Sequence, residues 1–202
     1  MRESIRALLL VTVLAGGCTI EPAGSGTAAD PAPAAPWGSP VSDSVRPVAV
    51  ELAAFREGMT APRRLEGGAR SREALVRALV GAVERRDTTR LRELHLSAAE
   101  FAWFYYPYTI HTHPPYQQAP GMVWLLTTQN SQKGMTRALR RLGGQPLGYR
   151  GHDCVRSEPQ DLNTLHAGCG VRLAGDSVPR RLFGTIIERA GRFKFVSYAN
   201  SL

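Results

Sequence analysis

The chain is short of lysine, of membrane-spanning apolar runs and of recognisable catalytic signatures. Of 25 basic residues among 202, only Lys133 and Lys194 are lysines. Arginine therefore carries the basic charge, a bias that genomic base composition also produces. No apolar run approaches the about 20 residues that a spanning helix takes. The sequence has no phosphate loop, no Gly-x-Gly-x-x-Gly, no His-Glu-x-x-His and no Gly-x-Ser-x-Gly. The usual nucleotide-binding, zinc-protease and serine-hydrolase signatures are thus missing. No catalytic residue, metal ligand or cofactor is assigned from sequence.

What is present begins at the N-terminus. Met1 to Arg6 carries Arg2 and Arg6 against Glu3, and Ala7 to Ala15 is apolar except for Thr12. A basic start, a short apolar run and small residues before a cleavage point describe a secretory signal, expected over residues 1–17. Leu14-Ala15-Gly16-Gly17-Cys18 resembles the lipobox of bacterial lipoproteins. The match departs at Ala15, where that family prefers leucine. The resemblance implies cleavage before Cys18, acylation of that cysteine and a bacterial cell-envelope location with the folded part outside the cytoplasm. An ordinary signal peptide with a chance cysteine is the alternative. Two or more acyl chains hold a membrane firmly where one binds marginally.

Residues 18–47 follow as a tether. Pro31, Pro33, Pro36, Pro40 and Pro47 stand among alanine, glycine and serine, with Trp37 the one aromatic residue. Such a segment cannot bury enough apolar surface to offset its chain entropy. A flexible coil of that length spans about 30 Å, and proline extends it.

Residues 48–202 are expected to form one α+β domain. They carry +9 of a whole-chain +8, because residues 1–47 have Arg2, Arg6 and Arg46 against Glu3, Glu21, Asp30 and Asp43, a net −1. A basic exported surface suits a membrane, an anionic polymer or an acidic envelope protein. Export removes nucleic acid as a partner. With Cys18 acylated, Cys154 and Cys169 remain as a pair that an oxidising compartment joins.

Within the domain, Val48 to Gly58 reads as a short helix. Ser71 caps a second helix whose stripe is Leu75, Val76, Leu79, Val80 and Val83. Asp87 caps a third, with Leu91, Leu94 and Leu96. Ser97 and Glu100 form a capping box that starts a brief helix, which Pro107 is expected to stop. Phe101 to Tyr108 holds six aromatics in eight residues. Such density builds a core or a pocket wall. A loop is expected over His111 to Pro120. A long helix follows from Gly121 to Leu142, with a kink or break possible across its polar middle, Thr127 to Gly134. Strands are expected at Leu147 to Arg156, Leu165 to Leu173, Leu182 to Arg189 and Phe193 to Ala199, with a tight turn at Ala190-Gly191. If Cys154 faces Cys169, His152 faces Val171.

Helices followed by four successive strands imply N-terminal helices packed on an antiparallel sheet. From Ser71 to Asn200 the element order resembles the nuclear transport factor 2-like superfamily, whose curved sheet wraps helices into a cone. That resemblance implies a cone serving as an enzyme pocket, a binding pocket or a dimer surface. The expected pocket residues are Trp103, Tyr106, Tyr108, Trp124 and His152. The leading reading is a non-catalytic binding or interaction module for a small ligand, an envelope protein or an anionic polymer. The alternative is an enzyme acting on a small molecule, with His152 or Asp153 as base and Tyr106 or Tyr108 as hydrogen-bond donor. His111 and His113 in an extended loop could begin a metal site if His152 or Asp153 joined them. His95, at a helix end, is expected to cap or to stay solvated.

Overall fold

The computed structural model describes residues 46–200. The export signal, Cys18 and most of the tether lie outside the described residues. Five helices precede a four-stranded antiparallel sheet, and helices contact the sheet. Among the described residues no helix is long and apolar enough to cross a membrane.

The helix starts follow their caps. Helix α1 spans Val48–Arg56 and buries no residue completely. Gly58, at φ 74°, turns the chain away after it. Helix α2 spans Arg72–Glu84; the Ser71 hydroxyl accepts the Ala74 N–H, and the expected stripe is buried. Helix α3 spans Thr88–Leu94 with the Asp87 carboxylate as its cap. Ser97 and Glu100 form both hydrogen bonds of the capping box at α4, Ala98–Glu100. Pro107 does not stop the chain's coiling there. It continues as a π-helical turn, Phe101–Tyr105, and a 3-10 turn, Tyr106–Tyr108, with Pro107 in its first turn, where a missing N–H costs nothing. The expected loop likewise contains a 3-10 turn, Ile110–Thr112.

Helix α5 runs unbroken from Pro120 to Leu142. Its polar middle has a packing reason. Ser131, Gly134 and Ala138 are buried on one face, and a Cβ on Gly134 would collide with the Ala199 carbonyl oxygen. Small residues there let the helix backbone lie against the chain's closing segment.

The sheet is a meander in the order β1-β2-β3-β4, comprising Tyr149–Gln160, Asn163–Leu173, Ile186–Arg189 and Arg192–Phe195. Cys154 pairs with Cys169 and His152 with Val171, in the expected register, and the two cysteines form a disulfide. The first hairpin is longer than expected. Ser157 to Thr164 was expected to connect the strands; instead pairing continues to Gln160 and Asn163, and Asp161-Leu162 makes the turn with Asp161 at φ 54°. Beyond β3 and β4 the expected strands persist as irregular pairing, with Phe183 bridging Tyr198 and the Ala199 N–H donating to the Leu182 carbonyl.

Successive strand residues point to opposite faces. Ile186 joins a large core under α2 with Leu75, Val76, Phe183 and Phe195. Ile187 joins a smaller one with Leu65, Leu96, Phe104 and Val196. The closing hairpin is therefore covered on both sides. On the second side Lys194 and Glu100 form a buried ion pair at 2.7 Å.

Candidate binding cavity

A cavity of about 170 Å³ lies between the end of α3, the middle of α5 and the segment after β4. Leu96, Trp124, Met135 and Tyr198 give it an apolar wall, while His95, Ser131 and Thr128 supply polar groups inside and Arg92 and Gln132 stand at the exposed rim.

Local folding brings these side chains together. The His95 N–H closes α3 on the Arg92 carbonyl, and the Leu96 N–H then bonds the Phe195 carbonyl beside β4. This turn buries the His95 ring against α5. Its Nδ1 lies 2.8 Å from the Leu96 carbonyl oxygen, which can only accept, so Nδ1 carries the proton. Nε2 lies 3.1 Å from the Ser131 hydroxyl. Ser131 Oγ in turn accepts the Tyr198 N–H at 3.1 Å. In a neutral ring, Nε2 takes the Ser131 proton. The Tyr198 hydroxyl donates to the Leu91 carbonyl. One hydrogen-bonded chain thus links the closing segment, α5 and the α3 end.

Burial lowers the His95 pKa; the Leu96 carbonyl opposes that shift and Lys194 adds to it. His95 Nε2 thus accepts from Ser131 as a base does from a serine nucleophile, but both side chains are buried and tied to backbone groups of Leu96 and Tyr198. Burial also lowers the pKa of His152, with Glu73 opposing. Unfolded histidine titrates near 6.5. Below that pH the unfolded chain binds protons that these folded rings refuse, so stability falls as pH drops and is level above it. We expect the urea midpoint to match at pH 7 and 8 and to fall by pH 5.5. His95 contributes at most about 1.4 kcal/mol per pH unit. An acid slope unchanged in both His95→Gln and His152→Gln would contradict this.

The five residues expected to line a pocket do not converge. Trp124 lines the cavity. Tyr106 is fully buried against Phe101 and Val123, and its hydroxyl donates to the Gln118 carbonyl. Trp103 packs near Phe104 with the Arg56 guanidinium 4.7 Å above its ring. Tyr108 is half-buried on its 3-10 turn. His152 sits on β1, 3.0 Å from the Tyr149 hydroxyl and 3.3 Å from Glu73. Asp153 is exposed and paired with Arg172. The base and donor pairing considered for an enzyme therefore has no common site. His111 lies in a 3-10 turn and His113 beyond it, and among the described residues no three metal-ligating side chains come together.

Sequence reasoning missed the cavity's centre. His95 caps α3, one of its two expected roles, but its ring is buried, and Ser131 and Tyr198 have no distinguishing pattern. The available sign was a serine and a glycine three residues apart inside a long helix.

A second polar chain crosses the sheet. The Ser157 hydroxyl lies 2.8 Å from His166 Nδ1, and His166 Nε2 lies 3.0 Å from Glu188. The order is that of a nucleophile, base and acid, with the imidazole turned end for end relative to the serine-protease arrangement. It lies outside the cavity, and its evident role is to tie β1, β2 and β3 together. Comparison with family models, curated proteins and solved structures finds no match for this chain.

Proposed function

We propose that this chain is a lipid-anchored envelope protein whose domain binds a small ligand without converting it. The observation that carries the binding reading is the cavity: an apolar, aromatic wall around a neutral histidine whose hydrogen bonds are already satisfied. An engineered cavity of about 150 Å³ accommodates benzene. A site of about 170 Å³ therefore takes one ring or a short chain, with the rest of the ligand outside. Arg92 at the rim makes no ion pair among the described residues and favours a ligand with an acidic group.

The Cys154–Cys169 disulfide supports a location outside the cytoplasm, since such bonds persist in oxidising compartments. The lipobox-like Leu14 to Cys18 supports the anchor. The order of helices, long helix and antiparallel meander supports a nuclear transport factor 2-like cone. The binding module is favoured over the enzyme because the histidine and serine at the cavity, His95 and Ser131, are buried and held by backbone groups of Leu96 and Tyr198, with no carboxylate behind the ring.

Calorimetry with benzoate, benzyl alcohol and benzylamine as probes tests the site. Saturable binding is expected with benzoate strongest, and Thr128→Trp, filling the cavity from a half-exposed position, should abolish it. No binding by any ring-bearing probe would sink the reading. The anchor is read separately: the N-terminal peptide of the native protein should begin at Cys18 and carry acyl mass.

A further inference from the structure

The outward face of α5 changes character along its length. Met122, Leu125 and Leu126, at i, i+3 and i+4, are 53, 47 and 47% exposed. Lys133, Arg137 and Arg140, at i, i+4 and i+7, continue the helix. At about 100° per residue all six fall within an arc of about 120°. The helix contains no aspartate or glutamate, and these three cations make no ion pair among the described residues. Charge near the C-terminal end compensates the helix dipole. That accounts for Arg140 and leaves Lys133, further in, unexplained. At the apolar end, Ile110 and Tyr116, in the segment leading into α5, are also exposed.

The apolar end also lies where the chain enters the domain. Helix α1 packs there: Val48, Leu52 and Phe55 join the cluster of Phe101, Tyr106 and Val123, and Phe55 lies beside Gly121.

We propose that this face docks the domain flat on an anionic lipid bilayer. Met122, Leu125 and Leu126 enter the boundary between headgroups and acyl chains, while Lys133, Arg137 and Arg140 meet lipid phosphates. The proposal takes the Cys18 anchor as its setting: the anchor supplies the membrane and the face sets the posture. The pattern favours lipid over the other occupants. A soluble polyanion would leave the three apolar side chains in water. A second copy of the chain would bring three more cations and no carboxylate to the contact.

The test uses the full chain with Cys18→Ser, which cannot be acylated, and sedimentation with phosphatidylcholine vesicles with or without one-third phosphatidylglycerol. Binding is expected to the anionic vesicles and to be much weaker to the neutral ones. Leu125→Glu with Leu126→Glu should weaken it at least tenfold, as should Lys133→Glu with Arg140→Glu. All variants share one N-terminus, so the differences read α5 alone, and the replaced residues are exposed enough to leave folding intact, checked by circular dichroism. Equal vesicle binding by all variants overturns the proposal. Capture by dextran sulfate with affinity unchanged in Leu125→Glu/Leu126→Glu, and no preference for vesicles, overturns it in favour of a polymer site. A dimer in sedimentation equilibrium that this variant dissolves, without vesicle binding, overturns it in favour of self-association. Failure of the anchor alone shows instead as native Cys18 lacking acyl mass while vesicle binding persists.

Discussion

Glu100→Ala is expected to destabilise the protein by about 3–5 kcal/mol, the cost of removing one partner from a buried ion pair. Glu100 and Lys194 are 2 and 3% exposed. The carboxylate holds the Lys194 ammonium at 2.7 Å and the Ser97 N–H at 2.8 Å through Oε2, and the Glu66 N–H at 2.6 Å through Oε1. Alanine would leave an ammonium in the interior and two backbone donors without acceptors. The cost arises largely from the ammonium left behind, so the double variant Glu100→Gln with Lys194→Met should recover part of it, the amide oxygen serving one of the two backbone donors. A buried ion pair and a well-packed apolar replacement are often of similar stability. Urea denaturation at pH 7 measures both variants. A loss under about 1 kcal/mol for the single change, or no recovery in the double, would show that the pair does not hold α4 to the sheet.

Removing the disulfide is expected to cost about 3 kcal/mol, the chain-entropy value for a loop of its size. Cys154 and Cys169 are 15 residues apart, and Cys169 is buried in the main core. The double replacement by alanine avoids placing a new polar group there. For a domain of this size the loss corresponds to a fall in Tm of roughly 6–12 °C. Dithiothreitol should lower the Tm of the wild type by a similar amount and leave the variant unchanged. Thermal unfolding followed by circular dichroism gives the comparison. A reductant-insensitive wild type would show that the bond is not formed.

Local chemistry in the sequence was enough for the parts of the fold that local chemistry controls. Ser71, Asp87 and Ser97 place three helix starts because each side chain satisfies a nearby N–H within one turn. The two cysteines fix the strand register because their pairing sets every other pair. The length of that hairpin was not legible. Pro159 and the Asp161-Leu162-Asn163 run read as loop, yet β1 is an edge strand, where a proline is tolerated.

The site was less legible because it depends on distant segments. Among the aromatics of Phe101 to Tyr108, Phe101 and Tyr106 pack between α1 and α5, and Phe104 covers the sheet. A lone histidine after α3 gives no sign that its ring will be drawn under a helix some 36 positions later. Of the five side chains expected at a pocket, Trp124 lines this cavity, and its neighbours there carry no pattern along the sequence.

The contact between Tyr198 and Leu91 bridges 107 positions of sequence, and that between Lys194 and Glu100 bridges 94. Long-range closure of this kind slows folding, because a large loop must be drawn shut before any contact repays it. Helix α3 already packs on α2, and α5 on α1 and α2, but the cavity between α3 and α5 gains its remaining wall only when residues 194–199 have been made. That wall, which includes Tyr198, is therefore supplied only after nearly the whole polypeptide has left the ribosome.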